Sequence, residues 1–381
     1  MTPPVRFDDL RAGRAFTCPA PEAVLTAATA GEVLPVLEEV ERATAAGRWA
    51  YGYLAYEAAP GLDADLVAHD PRPGDPPLAW FAVGGPPVAV EPAAPGPPVR
   101  APWRPDWSDA EHTRAVEAVR ACIAAGETYQ CNLTDRLRTT LRASPEQLYA
   151  ALAGRQAGAF HAWLDLGEHV VVSASPELFV DWSGDALVTR PMKGTAARGR
   201  TPVEDAAAGE RLRASAKDRA ENLMIVDLLR NDLSRVARTG SVDVRSLFDL
   251  EAYPTVWQLT SEVVATARPG LGLVELLRAL FPSGSVTGAP KLRTMGLIRE
   301  LEPTPRGVYC GAIGFVGPAD SGVRARFSVP IRTAVVHRAT GSAVYGAGGG
   351  IVWDSDPAAE RAELLAKAAV LGSATGGTLP G

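Results

Sequence analysis

Apolar residues recur along the chain at two different spacings, and together these predict interleaved helices and strands. Helical spacing is clear from Glu32 to Ala46, where Val33, Val36, Leu37 and Val40 fall on one side. Runs rich in β-branched and aromatic residues predict strands, several of which follow one another without an intervening helix. The pattern therefore favours a mixed or antiparallel sheet over a doubly wound one. The predicted strands are 49–56, 78–83, 128–134, 170–172, 177–182, 312–316, 324–336 and 343–345.

Start and stop residues predict four further helices. Ser108 and Glu111 form a capping box that opens a helix ending at Gly126. The other three are expected at about 203–237, from Pro290 to before Pro303, and from Asp356 to about Leu371. Two segments rich in Gly and Pro predict loops: a linker or exposed crossover at 86–105 and a glycine turn at 346–350.

Composition narrows the class of protein. The chain has 381 residues, 46% hydrophobic and 22% charged, with a net charge of −6 and no basic run, which argues against a nucleic-acid partner. No apolar run approaches the ~18 residues that a membrane span needs. No apolar segment of the signal-peptide kind follows Met1–Pro4, and the four cysteines are scattered. These features predict a cytoplasmic protein with reduced thiols and no membrane contact.

Lysine is rare in this chain, and one lysine lies in a constrained segment. Only four of the 38 basic residues are lysines, namely Lys193, Lys217, Lys291 and Lys367. The segment 188–195 predicts a short strand that runs into a turn and places Lys193 at the end of that strand. An amine can lose its proton and attack carbon, whereas a guanidinium cannot. A coding bias toward arginine explains the scarcity equally well.

Two predicted helices carry acidic pairs. Asp218 and Glu221 are three residues apart, and so are Glu360 and Glu363, with Lys367 four residues further on. If the two helices face each other, four carboxylates could bind one Mg²⁺ ion. Ordinary solvated helix faces with i,i+4 ion pairs explain the spacing as well, and spacing alone favours them.

Two more segments are candidates for chemistry. Glu177 precedes the apolar run Leu178–Val180, where burial would raise its pKa and suit it to act as a general acid. An exposed glutamate at a strand edge is the simpler explanation. Residues 284–291 are similar to a phosphate-binding loop, but Ala289 and Pro290 break the required spacing.

Taken together, motifs between about residues 107 and 372 resemble the chorismate-utilising enzymes, a family that includes anthranilate, aminodeoxychorismate, isochorismate and salicylate synthases. This resemblance implies an α+β fold in which two large mixed or antiparallel sheets pack together with helices outside. It implies an N-terminal α/β region at 1–98, a chorismate-binding catalytic domain at 105–372 and a flexible tail at 373–381. The motifs are Ile123–Leu133, Ser175–Phe179, Arg190–Thr195, Glu221–Asp232, Pro282–Lys291, and Gly348–Val352 followed by Asp354–Pro357, Glu360, Glu363 and Lys367.

Lys193 discriminates between branches of this family. Anthranilate synthases typically have alanine at the matching position, whereas the aminodeoxychorismate branch has the lysine that attacks the ring. The resemblance therefore implies conversion of chorismate and ammonia to 4-amino-4-deoxychorismate, for para-aminobenzoate and folate synthesis. Asn132, Trp257 and Gln258 also look like this branch.

The resemblance also implies roles for individual residues. Lys193 would be the nucleophile and Glu177 the general acid. Mg²⁺ would be bound by Glu221 and Glu363, with Asp218 and Glu360 behind them. The substrate would contact Thr195, Tyr309, Arg332, Gly348, Gly349 and Lys367.

Two segments known from related enzymes are absent from the sequence, and their absence bears on the expected partner subunit and on the alternative functions. No glutaminase domain is fused, so ammonia is expected from a separate glutamine amidotransferase subunit. The tryptophan-binding segment of feedback-regulated anthranilate synthases is missing, and 15–19 stand in its region. An anthranilate synthase is the nearest alternative. A salicylate or isochorismate synthase, which must activate water, and a non-catalytic chorismate-binding paralogue are the others.

Overall fold

The computed structural model describes residues 4–18, 20–254 and 256–371, so the tail expected at 373–381 lies outside the described residues. Nine α-helices occur within these ranges, and none combines the length and hydropathy that a membrane crossing requires. In chain order they are α1 (Ala30–Ala45), α2 (Ala59–Leu62), α3 (Asp109–Ala124), α4 (Pro145–Gln156), α5 (Pro202–Ala214), α6 (Ala216–Ser234), α7 (Leu273–Leu280), α8 (Lys291–Leu301) and α9 (Pro357–Ala368).

The same described residues form twenty strands. They are β1 (Val5–Asp9), β2 (Arg14–Cys18), β3 (Ala23–Ala27), β4 (Trp49–Leu54), β5 (Ala79–Gly84), β6 (Val88–Val90), β7 (Arg104–Pro105), β8 (Gln130–Thr140), β9 (Phe160–Asp165), β10 (His169–Ser175), β11 (Leu178–Ser183), β12 (Ala186–Arg190), β13 (Met192–Ala197), β14 (Asp243–Ala252), β15 (Val256–Thr266), β16 (Gly288–Ala289), β17 (Ala312–Val316), β18 (Val323–Ser328), β19 (Thr333–His337) and β20 (Ser342–Ile351).

The strands form two ten-stranded sheets. Sheet A has the order β16-β8-β20-β19-β10-β9-β1-β2-β6, with β7 beside β8. Sheet B has the order β13-β15-β12-β11-β18-β17-β4-β5-β3, with β14 beside β15. N-terminal strands extend both sheets, because β1 pairs with β9 in sheet A and β4 pairs with β17 in sheet B. The expected α+β class with two large sheets and outer helices is confirmed.

The core has two parts. The larger contains side chains from both sheets, including Phe7 of β1 in sheet A and Phe315 of β17 in sheet B, whose ring centroids lie 5.8 Å apart, so their packing joins the layers. The smaller lies between sheet A and the helices α4 and α9, where Leu148 and Leu364 are buried. The helix α6 packs against sheet B, where it contacts β13 and β15. The helices that carry the two acidic pairs are thus attached to different sheets.

Three predicted elements are corrected by the structure. The single helix expected at 203–237 is two helices, because Ser215 adopts an extended conformation and caps α6 by accepting from the Asp218 amide at 3.3 Å. The single strand expected at 324–336 is β18 and β19, which lie in different sheets. The glycine turn expected at 346–350 is part of β20, paired along its length with β8.

Two of the points at which the chain passes between the sheets lie next to each other. Glu177 lies where the chain leaves β10 of sheet A for β11 of sheet B. Arg332 lies where the chain returns from β18 to β19, and it has a left-handed backbone with φ of 54°. The two crossings bind each other, since the Val329 amide donates to the Glu177 carbonyl at 3.1 Å and the Ala174 amide donates to the Arg332 carbonyl at 3.1 Å.

Candidate active site

A cavity beside these crossings is lined by all twelve residues to which the resemblance assigns a role. Its walls come from β13 and α6 on one side and from β20 and α9 on the other. The twelve are Glu177, Lys193, Thr195, Asp218, Glu221, Tyr309, Arg332, Gly348, Gly349, Glu360, Glu363 and Lys367.

Lys193 is presented by a bent strand. Pro191 separates β12 from β13, and both pair with β15, so the strand resumes after the proline where a turn was expected. The register shifts between Lys193 and Thr195, at Gly194, which has φ of +79°. A Cβ at Gly194 would lie 2.9 Å from a carboxylate oxygen of Asp218, so α6 approaches the strand closely there.

The environment of Lys193 favours the neutral amine. Its Nζ donates to the Ser285 carbonyl at 3.0 Å. Burial lowers the pKa of Lys193, and the Lys367 ammonium adds to that effect, while the Glu221 and Glu177 carboxylates oppose it. Arg190, which is close to Lys193 in the sequence, donates a hydrogen bond to the Glu251 carboxylate. A lysine with a lowered pKa has more of the unprotonated form that can attack carbon.

Glu177 is buried and lies next to the same serine. The Ser285 hydroxyl donates to Glu177 Oε1 at 2.5 Å. Burial raises the pKa of Glu177 to about 7, although the Ser285 bond and the Lys193 and Arg332 charges oppose the rise. Ser285 therefore joins the candidate nucleophile, through its carbonyl, to the candidate acid, through its hydroxyl.

The opposite wall is a glycine strand. Lys367 donates to the Gly348 carbonyl at 2.8 Å. A Cβ on Gly346 would lie 2.3 Å from the Tyr309 ring, and one on Gly348 would lie 2.4 Å from the Leu133 carbonyl. Close packing against neighbouring groups, and not a turn, thus explains the glycines. On β13, Thr195 accepts from the Gln258 amide at 2.6 Å.

The four acidic residues gather at one edge of the cavity, but three of them are paired with lysines. Lys367 binds Glu363 at 2.8 Å, and Lys217 lies 3.5 Å from Glu360 and 3.9 Å from Glu221. Among the described residues, no three His, Cys, Asp or Glu side chains converge closely enough to hold a metal ion.

The donor set nevertheless suits a hard cation in its chemistry. All four donors are carboxylates, and Glu360 and Glu221 are largely buried, at 6% and 14% side-chain exposure. Burial raises the pKa of Glu221, and the Glu360 and Asp218 carboxylates add to the rise. Crowded, poorly solvated carboxylates of this kind fit Mg²⁺, which would take the place of the lysine charges.

Two lining residues, and Gln130 buried beside the cavity, were not assigned a role from the sequence. Ser285 lies in the segment that was compared with a phosphate loop, and Lys217 was noted only for its rarity. Gln130 is fully buried, yet neither polar atom of its side-chain amide has a partner. A Cβ on Gly350 would lie 2.3 Å from Gln130 Nε2 and 3.4 Å from Lys193 Nζ, which places this amide beside the candidate nucleophile.

Comparisons with known proteins agree with the geometry. The family model for chorismate binding enzymes matches residues 87–373. The chain is 42% identical over 293 residues to aminodeoxychorismate synthase component 1 of Klebsiella aerogenes, covering 76% of this chain and 62% of that protein. It is 44% identical over 267 residues to anthranilate synthase component 1 of Streptomyces coelicolor, covering 70% and 51%. The chain thus spans less than two thirds of these relatives' length.

Solved structures share the fold across nearly the whole chain. Anthranilate synthase component I from Streptococcus pneumoniae superposes with a TM-score of 0.76 at 24% identity, covering 93% of both chains. The menaquinone-specific isochorismate synthase from Escherichia coli gives a TM-score of 0.76 at 20% identity, covering 97% of this chain and 88% of that one. At these identities the likeness concerns the fold alone.

Proposed function

Because the chain belongs to the family of chorismate binding enzymes, we propose that it converts chorismate and ammonia to 4-amino-4-deoxychorismate, the precursor of para-aminobenzoate in folate synthesis. The observation that carries this proposal is the Ser285 bridge between an amine and a carboxylic acid. Their shifted pKa values favour the neutral amine and the protonated acid that the reaction needs.

The proposed first step forms a bond between Lys193 Nζ and C2 of the ring. The ring double bonds shift, the C4–O bond breaks, and Glu177 gives its proton to the departing hydroxyl, which leaves as water. Ammonia then forms a bond to C4 and the C2–N bond breaks, which releases Lys193 as the neutral amine. The excess proton on the new C4 ammonium returns to the Glu177 carboxylate, so both groups are restored.

The remaining lining residues would bind and orient the substrate. Tyr309, Arg332, Lys367 and the amides of Gly348 and Gly349 would hold the two carboxylates, and Thr195 would lie beside the ring. Glu221 and Glu363 would bind Mg²⁺, with Asp218 and Glu360 behind them. Bound Mg²⁺ would neutralise and orient the ring carboxylate.

Product analysis tests this function. Purified protein is incubated with chorismate, Mg²⁺ and ammonium at high pH, and the products are separated and identified by mass spectrometry. 4-Amino-4-deoxychorismate is expected. Anthranilate as the main product would instead make the chain an anthranilate synthase. This alternative is supported by the 44% identity of the chain to such an enzyme. Absence of any chorismate turnover would leave only a binding role.

A separate subunit is proposed to supply ammonia. The purified chain is expected to use ammonium but not glutamine, since the sequence shows no amidotransferase motif with a reactive cysteine. Addition of a separate glutamine amidotransferase subunit should confer glutamine-dependent turnover. Hydrolysis of glutamine at a comparable rate by this chain alone would contradict the proposal.

Glu177 is expected to control the alkaline limb of the pH profile. The carboxyl must be protonated to act as an acid, and its pKa is about 7. The value of kcat/KM for chorismate should therefore fall as the pH rises through about 7, with the rate corrected for the fraction of free ammonia. Glu177→Gln should lose about 10²- to 10⁴-fold in rate and no longer show this limb. A limb that persists in the Gln variant would assign the titration to another group.

Tryptophan is expected not to inhibit. Phe16 of β2 lies in the region that corresponds to the missing tryptophan-binding segment. Its ring packs at centroid distances of 5.3 Å from Phe7 and 5.2 Å from Phe315, so aromatic side chains of the protein occupy this part of the space between the sheets. Initial rates with and without millimolar tryptophan should agree. Inhibition would move the assignment toward anthranilate synthase.

A further inference from the structure

Arg332 differs from the other buried arginines in its partner. Among the described residues, Arg136, Arg306 and Arg361 are also buried, and each binds a buried carboxylate. Arg136 and Arg306 bind Glu302 at 3.1 and 2.6 Å, and Arg361 binds Asp135 at 2.9 Å. The side-chain partner of Arg332 is instead the Gln156 amide, whose carbonyl oxygen accepts from Nη1. The fold thus buries this guanidinium against a neutral acceptor.

Glu177, the carboxyl that acts electrostatically on Arg332, is engaged elsewhere. Glu177 accepts from Ser285, and its raised pKa keeps it largely protonated below about 7. Burial lowers the pKa of Arg332 itself, as expected of a cation without an ionised partner.

Gln156 lies behind the guanidinium. It is the last residue of α4, is 2% exposed, and does not line the cavity, whereas Arg332 does. A buried charge that lacks a counter-ion is costly, so a fold retains one where a ligand supplies the opposite charge. A glutamate at position 156 would supply that charge from within the protein.

We propose that Gln156 is a positioning residue that orients Arg332 through a neutral amide and so leaves its positive charge for a carboxylate of the substrate. The inference rests on the proposed function, since chorismate carries the two carboxylates in question. The choice of an amide over a carboxylate keeps the fixed geometry of the hydrogen bond without neutralising the cation.

Replacement of the amide by a carboxylate separates this role from a structural one. Gln156→Glu keeps the size and the acceptor atom and pairs Arg332 with a negative charge. We expect chorismate to bind at least about tenfold more weakly, which corresponds to ~1.4 kcal/mol. Binding is measured at about pH 6, where Glu177 stays largely protonated. The melting temperature should equal or exceed that of the wild type, because the buried cation gains a partner. Affinity and stability therefore change in opposite senses.

Two matched variants complete the test. Gln147→Glu places the same substitution on the exposed side of α4, where the side chain caps the helix by accepting from the Ser144 amide at 2.9 Å, and it should bind chorismate as the wild type does. Gln156→Met removes the acceptor without adding charge. It should lower the melting temperature more than Gln156→Glu and weaken binding less.

Isothermal titration of each variant with chorismate and, in parallel, with pyruvate decides the outcome. Wild-type affinity in Gln156→Glu overturns the inference, and so does a loss of affinity that accompanies an equal loss of stability. If the wild type binds pyruvate but not chorismate, the proposed function fails, and weaker pyruvate binding in Gln156→Glu still supports the role of Gln156. If the wild type binds neither, both proposals fail.

Discussion

Replacement of Lys193 by arginine is expected to lower the formation of 4-amino-4-deoxychorismate by at least about 10³-fold. Arginine keeps the positive charge and can still donate to the Ser285 carbonyl, which Lys193 contacts at 3.0 Å. It cannot become an unprotonated nucleophile at any pH at which the protein is folded. The loss would therefore report the missing C2–N bond and not a missing charge.

Lys193→Ala distinguishes covalent catalysis from direct addition. This variant leaves space beside C2 of the ring, where ammonia could attack directly. We expect loss of amination at C4 together with a small amount of anthranilate-type product, measured by chromatography with chorismate, Mg²⁺ and ammonium. Lys291→Arg is the matched control. Lys291 lies outside the cavity, where it binds Asp232 at 2.8 Å, so this variant should remain active. Wild-type rates in Lys193→Arg would exclude a covalent role.

Glu221→Gln is expected to remove nearly all turnover, by at least about 10²-fold, while the fold survives. The substitution neutralises one carboxylate of the proposed Mg²⁺ site. Because the Glu221 carboxylate raises the pKa of Lys193, its removal favours the neutral amine. A loss of turnover could therefore not be attributed to a protonated nucleophile.

Metal binding provides the second measurement for this variant. Wild-type protein should gain thermal stability with added Mg²⁺, whereas Glu221→Gln and Glu363→Gln should gain much less. Glu210→Gln on the neighbouring helix α5 is the control, since Glu210 forms a surface pair with Arg213 at 2.7 Å. If either cavity variant responds to Mg²⁺ as the wild type does, the proposed metal site is wrong.

Local signals in the sequence were sufficient where a side chain acts on its own backbone. The capping box of Ser108 and Glu111 opens α3 as expected. Ser215 also caps its helix by accepting from a backbone amide, that of Asp218 three residues later, but it lies inside a polar helical run that hides this signal. The resemblance supplied the residues of the cavity, because short motifs far apart in the chain carry long-range information that periodicity lacks.

Other features depend on partners that are distant in the sequence. The glycines at 346–350 favour a turn by propensity, yet the rings and carbonyls that pack against β20 come from residues 130–134 and 309. The crossing at 329–332 contains Pro330, a local sign that the strand is interrupted, but nothing in the sequence shows that its two halves belong to different sheets. Ser285 gains its importance only when β13 and the start of β11 approach it. The propensities of individual residues carry no information about such long-range contacts.

In the proposed mechanism, the division of the cavity between the two sheets separates substrate binding from reaction. Gly348, Gly349 and Lys367, which would grip the carboxylates, belong to sheet A and its helix, whereas Lys193 and Thr195 project from β13 of sheet B. Under the proposed mechanism, a single exchange on β13 would change which ring carbon is attacked while the carboxylate contacts of sheet A are retained. Enzymes that descend from one such scaffold would therefore differ in product while they keep the same substrate-binding contacts.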